Sequence, residues 1–241
     1  MKKLFRPRRS RRSRRRRIRA RVYRWLGKLV LIWVGVTVPV VLALRWINPP
    51  TTAFMIAARL GGENVANTWV SWRRIPPQMA LAVVAAEDQR FPDHFGFDWV
   101  EIRNAVDTKL EGGRLRGAST ISQQTARNLF LWSARSFIRK GIEAYFTVLL
   151  EALWSKRRIL EVYLNVAQFG KGVYGVGAAS RAFFHETPGR LSLYQMSLLA
   201  SVLPDPVDLH ADAPDHWLLK RAASVREDMK TLGGVAYIRG I

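Results

Sequence analysis

A nineteen-residue apolar stretch near the N-terminus constrains this chain more than any other feature. It runs from Leu26 to Leu44 and contains one charged residue, a lysine, close to its start. About 20 apolar residues are needed for an α-helix to cross a bilayer, and a lysine near the helix end can extend its ammonium group to the headgroups. Trp25 and Trp46 stand at the two ends, where interfacial aromatic residues are common. The sequence therefore predicts a membrane anchor over residues 25–46.

A strongly basic segment precedes this anchor. Residues 1–24 contain 14 Lys and Arg and no acidic residue, whereas the other 217 residues carry 25 basic and 18 acidic side chains. Most of the net charge of +21 therefore belongs to the tail, and like charges at this density predict disorder. Basic residues beside a membrane span stay on the cytoplasmic side. The sequence thus predicts a cytoplasmic tail and an extracytoplasmic remainder.

Three other interpretations compete for this N-terminal region. A buried core helix has a similar apolar stretch, but it does not usually carry a basic flank. A cleaved signal peptide needs a small-x-small site after Leu44, where Arg45 and Trp46 stand instead. A nuclear or nucleic-acid-binding arm is equally basic, but the adjoining apolar span favours attachment beside anionic lipid. We expect no nucleic acid among the partners.

The remainder of the chain has the composition of a globular protein. Apolar residues make up 49% of the 241 residues, which is enough to build a core. The absence of cysteine excludes a disulfide scaffold, a thiol nucleophile and a thiolate metal site. We expect a linker and the start of the domain over residues 47–74, and the domain itself over residues 75–241. Apolar periodicity predicts a mostly α-helical domain. The helices are predicted at residues 78–88, 99–110, 119–130, 137–154, 156–169 and 193–202.

Two glutamates are candidates for catalysis. Glu87 ends an apolar helix, where burial raises the pKa of a carboxyl group and suits it to general acid or base catalysis. The alternative is an ordinary exposed acidic pair with Asp88. Glu143 follows Arg139 by four positions and Lys140 by three, so one helix face holds a carboxylate among cations. A simple surface ion pair is the alternative there.

A segment rich in hydrogen-bonding side chains lies between these glutamates. It follows a glycine- and arginine-rich stretch at residues 111–118, which we interpret as a mobile basic loop. A helix N-terminus after such a loop suits an anion, although Thr120 and Gln123 also fit a capping box. The cations that follow can hold a pyrophosphate through charge-assisted contacts or form a solvated basic face. They are Arg127, Arg135, Arg139 and Lys140.

Two further patterns predict no function. The glycines of residues 170–175 match G-x-G-x-x-G, but they follow a predicted helix and not a strand, which argues against dinucleotide binding. The Asp and His side chains between residues 208 and 216 lack the standard spacing of metal ligands and are assigned to a loop. The sequence predicts no dedicated metal site.

Four motifs, taken in order, resemble those of the peptidoglycan glycosyltransferases, glycosyltransferase family 51. They are EDxxFxxHxG at residues 87–96, GxSTIxQQ at 117–124, RKxxE at 139–143 and KxxILExYLN at 156–165. The resemblance covers about residues 49–234, and no transpeptidase domain follows it in this sequence. It implies a mostly α-helical, lysozyme-like glycosyltransferase domain with one N-terminal transmembrane helix.

The resemblance also implies a reaction and a location. The expected reaction polymerises lipid II, a disaccharide-pentapeptide on undecaprenyl pyrophosphate, into β-1,4-linked glycan by inverting transfer. The chain is expected in the bacterial inner membrane as a single-pass protein with a periplasmic domain. Its expected partners are lipid II, the growing strand and proteins of division or elongation. A lysozyme-like muramidase and a non-enzymatic anchored binder are the alternatives, but a neutral glycan does not need the basic cluster.

Individual roles follow from the same resemblance. Glu87 is expected to deprotonate the attacking sugar hydroxyl, and Glu143 is expected to be the second catalytic glutamate, near the pyrophosphate. Arg127 stands where the family usually has lysine, so the charge is kept on a wider, planar group. No cofactor is expected except a divalent cation such as Mg²⁺, which the family allows at the pyrophosphate. The expected substrate-binding residues are Ser119, Thr120, Gln123, Gln124, Arg127, Asn128, Arg135 and Lys140.

A cluster of large apolar residues near these cations predicts contact with the membrane surface. The cluster comprises residues 129–132 and Phe137. Because the lipid tail of the expected substrate stays in the bilayer, we expect these side chains to enter its outer leaflet. Ordinary core packing is the alternative.

Overall fold

The computed structural model of the chain separates into two units, Met1–Trp46 and Ile47–Ile241. The described residues are 11–110, 112, 119–134 and 136–241, with the backbone alone for residues 11–18 and 106. Apart from Gly112, the basic loop expected at residues 111–118 lies outside the described residues.

The N-terminal unit contains one long helix, α1 (Arg11–Ala43). Within it, the 25-residue segment Arg19–Ala43 is long and apolar enough to cross a membrane, since it measures about 37 Å at 1.5 Å per residue. The disorder predicted for the basic tail is therefore wrong for residues 11–24, which are helical. Arginine is a good helix former, and a helix that has already nucleated over the apolar stretch extends into its flank without a second nucleation step.

The second unit is mostly α-helical, as the sequence predicts. Its described residues form nine α-helices: α2 (Ala53–Leu60), α3 (Pro77–Glu87), α4 (Trp99–Leu110), α5 (Ile121–Phe130), α6 (Phe137–Leu153), α7 (Lys156–Val166), α8 (Val176–Phe184), α9 (Leu193–Val202) and α10 (His216–Thr231). Short 3₁₀ turns occur at Trp72–Arg74, Pro188–Arg190 and Gly234–Ile238.

A small sheet accompanies these helices, with strands β1 (Ala66–Asn67), β2 (Gln168–Gly170) and β3 (Val173–Tyr174) in the order β1-β3-β2. Strand β1 is parallel to β3, and β2 is antiparallel to it. The helix predicted over 156–169 is consequently too long at its C-terminal end. The glycine pattern noted above supplies the β2–β3 turn and the residue that caps the N-terminus of α8. Gly172 and Gly175 have φ values of 70° and 79°, which favour glycine.

Helix α3 lies at the centre of the core and positions the site. All seven residues of Met79–Ala85 are buried, which is expected of a helix that is apolar on every side. α3 packs against α9, α10 and the turn at Gly234–Ile238, while α5 packs against α6 and α7. The C-terminal end of α3 therefore reaches the surface of the domain from a rigid core, and its last residue is Glu87.

Candidate active site

A groove with three adjoining compartments passes the C-terminal end of α3. The central compartment has a volume of about 800 Å³, an acidic compartment about 390 Å³ and a cationic compartment about 260 Å³. Glu87 and Ser119 line both the acidic and the central compartments. Gln124 and Arg127 line both the central and the cationic compartments. The predicted base therefore lies on a continuous surface with the predicted cations.

Glu87 is largely buried and faces this groove, with 11% of its side chain exposed. Gln124 Nε2 donates to Glu87 Oε2 at 2.8 Å, and Arg221 Nη2 lies 3.5 Å from Oε1. Burial raises the pKa of Glu87, while the Gln124 hydrogen bond and the charges of Arg221 and Arg127 lower it in part. A carboxylate with a raised pKa at a groove surface is suited to accept a proton.

Asp88 has a different place, although it follows Glu87 directly. Its Oδ1 lies 2.8 Å from His94 Nε2, and its Oδ2 accepts a hydrogen bond from the backbone N–H of Ile121 at 2.9 Å. Only 2% of its side chain is exposed. The alternative of an ordinary exposed acidic pair is therefore wrong, and Asp88 connects the loop after α3 to the start of α5.

The polar segment before α5 is used partly by the fold itself. Thr120 and Gln123 form the capping box: the Thr120 hydroxyl accepts from the Gln123 N–H at 3.2 Å, and Gln123 Oε1 accepts from the Thr120 N–H at 3.0 Å. The Thr120 hydroxyl also donates to the carbonyl oxygen of Gly96 at 2.7 Å. Ser119 and Thr120 line the groove, whereas the buried Gln123 is absent from the described groove lining.

Two arginines define the cationic compartment. Arg127 from α5 and Arg139 from α6 line it together with Asn128. Both Nε atoms are buried, and neither has a hydrogen-bond partner among the described residues. The guanidinium carbon of Arg127 lies 5.9 Å from the ring centroid of Phe54. Because two guanidinium side chains line this compartment, an anion such as a pyrophosphate suits it.

Glu143 lies beside these cations and does not line the described groove. Its Oε2 accepts a hydrogen bond from Arg139 Nη1 at 2.6 Å, and its Oε1 accepts one from Lys140 Nζ. Its side chain is 3% exposed, against 48% for Lys140. Both carboxylate oxygens are thus occupied by cations. The alternative of a simple surface ion pair is wrong for Glu143, because its side chain is buried.

Arg135 lies outside the described residues.

α10 contributes a wall of the central compartment that sequence analysis missed. Trp217 and Arg221 face this compartment, and Arg221 also donates to the carbonyl oxygen of Ala86 at 3.3 Å. A helical signal was present, because the buried residues of α10 recur at helical spacing: Leu218, Ala222, Val225 and Met229. This stripe predicts a helix, although nothing in it indicates contact with Glu87.

A second unpredicted group brings together Asp88, His94 and Asp98, whose potential metal-ligand atoms lie within 4.8 Å of one another. Both oxygens of Asp88 already contact His94 or the start of α5. Asp98 Oδ1 accepts from the backbone N–H groups of Val100 and Glu101 at 3.0 and 3.1 Å. These hydrogen bonds join the ends of α3, α4 and α5, while His94 Nδ1 and Asp98 Oδ2 are buried without a partner among the described residues.

The apolar cluster predicted at the membrane surface divides into two parts. Leu129 and Leu131 are buried, and Phe130 stacks on Phe146 with ring centroids 4.3 Å apart. Core packing therefore explains residues 129–131. By contrast, Trp132 is 45% exposed and Phe137 is 97% exposed, so these two residues retain a surface for contact.

Comparison with known proteins identifies the family. The transglycosylase family model matches residues 55–230, and the chain belongs to that family. It is 48% identical over 222 residues to a biosynthetic peptidoglycan transglycosylase of Stutzerimonas stutzeri (strain A1501), covering 90% of this chain and 92% of the relative. A protein of the same name from Shewanella oneidensis is 46% identical, covering 89% and 94%. Another from Pseudomonas aeruginosa is 45% identical, covering 90% and 96%. The predicted lysozyme-like glycosyltransferase fold is confirmed.

Proposed function

We propose that this chain is a peptidoglycan glycosyltransferase that polymerises lipid II into β-1,4-linked glycan strands. One observation carries the proposal beyond family membership: Glu87 faces a groove whose adjoining compartment is lined by two arginines, Arg127 and Arg139. The reaction needs a base at a sugar hydroxyl and positive charge at a leaving pyrophosphate. The groove offers both on one continuous surface.

In the proposed reaction, the 4-hydroxyl of the GlcNAc of lipid II attacks C1 of the MurNAc at the lipid-linked end of the growing strand. Glu87 takes the hydroxyl proton while the new O–C1 bond forms. The bond from C1 to the pyrophosphate oxygen breaks, and its electron pair leaves with undecaprenyl pyrophosphate. A single displacement inverts C1 from α to β. General-base catalysis of this kind contributes about 10²–10⁴-fold.

The cationic compartment is proposed to hold the leaving group. Pyrophosphate is already a good leaving group, so positive charge can replace a strong general acid. Arg127 and Arg139 supply that charge from the groove lining, and Glu143 holds Arg139 and Lys140 in place through its two oxygens. Contacts with substrate are proposed for Ser119, Thr120, Gln124, Asn128 and Arg135. Gln123 is proposed to shape the site through the capping box.

Mg²⁺ does not fit this compartment as a protein-held ion. Mg²⁺ requires oxygen ligands in octahedral arrangement. The carboxylate nearest these cations along the chain, Glu143, already has both oxygens on Arg139 and Lys140. The proposed mechanism therefore uses the cationic side chains and passes no step through a metal ion.

The proposal is tested by incubating the purified full chain in detergent with fluorescent lipid II and, separately, with preformed glycan strands. We expect polymer that lysozyme digests from the first incubation and no soluble fragments from the second. Glu87→Gln provides the matched inactive control. A muramidase would use its glutamate as an acid and release fragments from the strands. Fragment release without polymer formation would overturn the proposal.

The location is proposed from the charge asymmetry around α1. We infer that α1 anchors the chain in the inner membrane, with the basic tail in the cytoplasm and the domain in the periplasm. A reporter that is active only in the cytoplasm should be inactive when it is fused after Ile241. An active reporter would show that the orientation is opposite to the proposed one. The proposed division of the chain is a tail at 1–24, an anchor at 25–46, a linker and domain entry at 47–74 and the glycosyltransferase domain at 75–241. Partners among division or elongation proteins stay a prediction.

Trp132 and Phe137 are proposed to contact the outer leaflet of the membrane. Their exposure on either side of residues 133–136, close to the cationic side chains of α6, supports this proposal. Because the chain has no cysteine, a fluorophore can be placed through Phe137→Cys in proteoliposomes, with the exposed, charged position Lys230→Cys as the comparison. Quenching by brominated lipid is expected at position 137 and not at 230. Equal accessibility to an aqueous quencher would contradict the proposal.

A further inference from the structure

A series of hydrogen bonds leads from the core to Glu87 through side chains of three helices. Tyr163 on α7 is 1% exposed, and its hydroxyl donates to Gln124 Oε1 at 2.9 Å. The other end of the same amide, Gln124 Nε2, donates to Glu87 Oε2 at 2.8 Å. The carboxylate at the groove surface is thus connected through one amide to a phenol in the interior.

The direction of these bonds depends on the phenol. An amide side chain has one accepting end and one donating end, so its orientation decides which end faces Glu87. With the Tyr163 hydroxyl donating to the oxygen of Gln124, the NH₂ group must face the carboxylate. The reversed amide would place its oxygen against the carboxylate and leave the buried phenolic proton without its acceptor. Burial raises the pKa of Tyr163 well above its ordinary range, and the charge of Glu87 adds to this, so the phenol keeps the proton it donates.

We propose that Tyr163 is a positioning residue for glycosyl transfer, which fixes the Gln124 amide so that its N–H stabilises Glu87 in the ionised, proton-accepting form. This inference rests on the proposed role of Glu87 as the base. Tyr163 also lines the cationic compartment, but its hydroxyl is bonded to Gln124 and has no contact with the reacting proton in this account. It acts only through Gln124, and removing its hydroxyl should therefore change the titration of Glu87.

The other charged groups around Glu87 do not depend on this phenol. Arg221 approaches from α10, Arg127 lies on α5, and Asp88 follows on the same chain segment. Helix α9, which packs against α3, contains no Asp, Glu, Lys, Arg or His. Tyr237, from the 3₁₀ turn that also packs there, donates to a backbone carbonyl in the loop after α3 at 2.7 Å. Among the described residues, the Tyr163 hydroxyl is hydrogen-bonded to Gln124 and to none of these groups.

Tyr163→Phe tests the inference because it keeps the ring and removes only the donor. The N–H bond to Glu87 should weaken, so the pKa of Glu87 should rise. The acid limb of kcat/KM for lipid II polymerisation should then move to higher pH by about 0.5–1 unit, while kcat on the high-pH plateau should fall less than about threefold. Tyr194→Phe is the matched control, since it removes a phenolic hydroxyl from α9 outside the groove, and it should leave the acid limb in place.

A second readout separates this inference from the proposed function. The difference in melting temperature between the full chain and its Glu87→Gln variant, measured against pH, reports the titration of Glu87 without any turnover. We expect this titration to move upward when Tyr163→Phe is added to both proteins. If the pH at which the melting difference titrates increases but the acid limb of kcat/KM keeps its pH, then Tyr163 positions Glu87 but Glu87 is not the base. If the titration of the melting difference and the acid limb both keep their pH while kcat falls, then the role of Tyr163 is structural and the inference is wrong.

If Tyr163→Phe fails to fold, Gln124→Leu provides an equivalent test, because it removes the amide that connects Tyr163 to Glu87. Leucine removes the N–H donor directly, so the melting difference should titrate at higher pH than in the wild-type chain. Adding Tyr163→Phe to Gln124→Leu should then produce no further shift, because the phenol has lost the group through which it acts. Independent, additive shifts would overturn the inference.

Discussion

The C-terminal end of α3 and the first turns of α6 each bury a glutamate, but the two surroundings differ in kind. Glu87 has one neutral amide donor at 2.8 Å and a guanidinium at the longer distance of 3.5 Å. Glu143 has a guanidinium at 2.6 Å and an ammonium group on its other oxygen. Glu87 lines the groove, whereas Glu143 lies behind Arg139, which lines it.

This difference separates two uses of a buried carboxylate. Where burial is only partly compensated, the ionised form is disfavoured and the group is suited to take up a proton. Where two cations are bonded directly, the carboxylate acts as their counter-ion and fixes their direction. The contrast predicts that neutralising Glu87 removes catalysis and spares the fold, while neutralising Glu143 affects both.

The largest expected effect is that of Glu87→Gln. Glutamine keeps the shape and loses the proton acceptor, so lipid II turnover should fall by at least about 10²–10⁴-fold. The measurement is initial polymerisation rate at saturating lipid II, with a thermal melt of the same sample. A folded variant with near-normal turnover would remove Glu87 from the mechanism.

Glu143→Gln should have a smaller effect on turnover and a larger one on stability. Turnover should drop about 10- to 100-fold, because Arg139 and Lys140 still carry charge but lose their fixed directions. The free energy of unfolding should fall by about 1–3 kcal/mol, below the cost for a fully buried pair because Lys140 is half exposed. Urea denaturation of both glutamate variants checks this. Equal free energies of unfolding for Glu87→Gln and Glu143→Gln would contradict the proposed difference between the two glutamates.

Asp88→Asn tests whether the neighbouring carboxylate shares the role of Glu87. Asparagine can replace only one of the two acceptor contacts, to His94 or to the Ile121 N–H, so stability should fall by about 1–2 kcal/mol. Turnover should fall less than about tenfold, and its acid limb should move to lower pH, because the charge of Asp88 helps to raise the pKa of Glu87. A loss as large as that of Glu87→Gln, in a protein that is still folded, would show that both carboxylates take part in the chemistry.

The smallest expected effect is a pH-dependent difference in melting temperature. The folded-state pKa of Glu87 is raised above its unfolded value, so its contribution to stability is fully present below the unfolded pKa, about 4.3. It is lost as pH rises through the raised folded value. The melting temperature of Glu87→Gln should therefore equal that of the wild-type chain at low pH and be a few degrees higher than it at neutral pH. A difference of the opposite sign would mean that Arg221 and Gln124 outweigh burial.

Much of this architecture could be predicted from the sequence because local signals agreed with tertiary packing. The helix predicted at 99–110 occurs with the same bounds, and that at 193–202 does as well. Thr120 was recognised as a capping residue, and the cap is present. The apolar pattern before Glu87 predicts a helix end and makes it a candidate, while its role as the base follows from the resemblance to glycosyltransferase family 51. Arg139 and Lys140 are predicted to lie near Glu143 from their helical spacing.

The rest depended on contacts between distant segments. Asn165 Oδ1 accepts from the Val70 N–H at 2.6 Å, and the two-residue strand β1 pairs across more than a hundred positions. Such short strands carry no periodic signal of their own. The Tyr163–Gln124–Glu87 series likewise joins three helices that no spacing rule relates. The end of α7 at Val166 was misjudged because the apolar pattern continues into β2.

The choice of arginine at position 127, together with Arg139, has a consequence for how the enzyme responds to its surroundings. A guanidinium group stays charged throughout the pH range in which a carboxylate titrates. Acidification of the surrounding solution would therefore stop proton transfer at Glu87 while leaving the proposed binding of pyrophosphate intact. A lipid-linked strand would then stay bound through a transient acid exposure and resume growth when the pH recovers. Dissolved salt, which screens charge, would instead weaken the binding of pyrophosphate by the arginines without preventing proton transfer to Glu87.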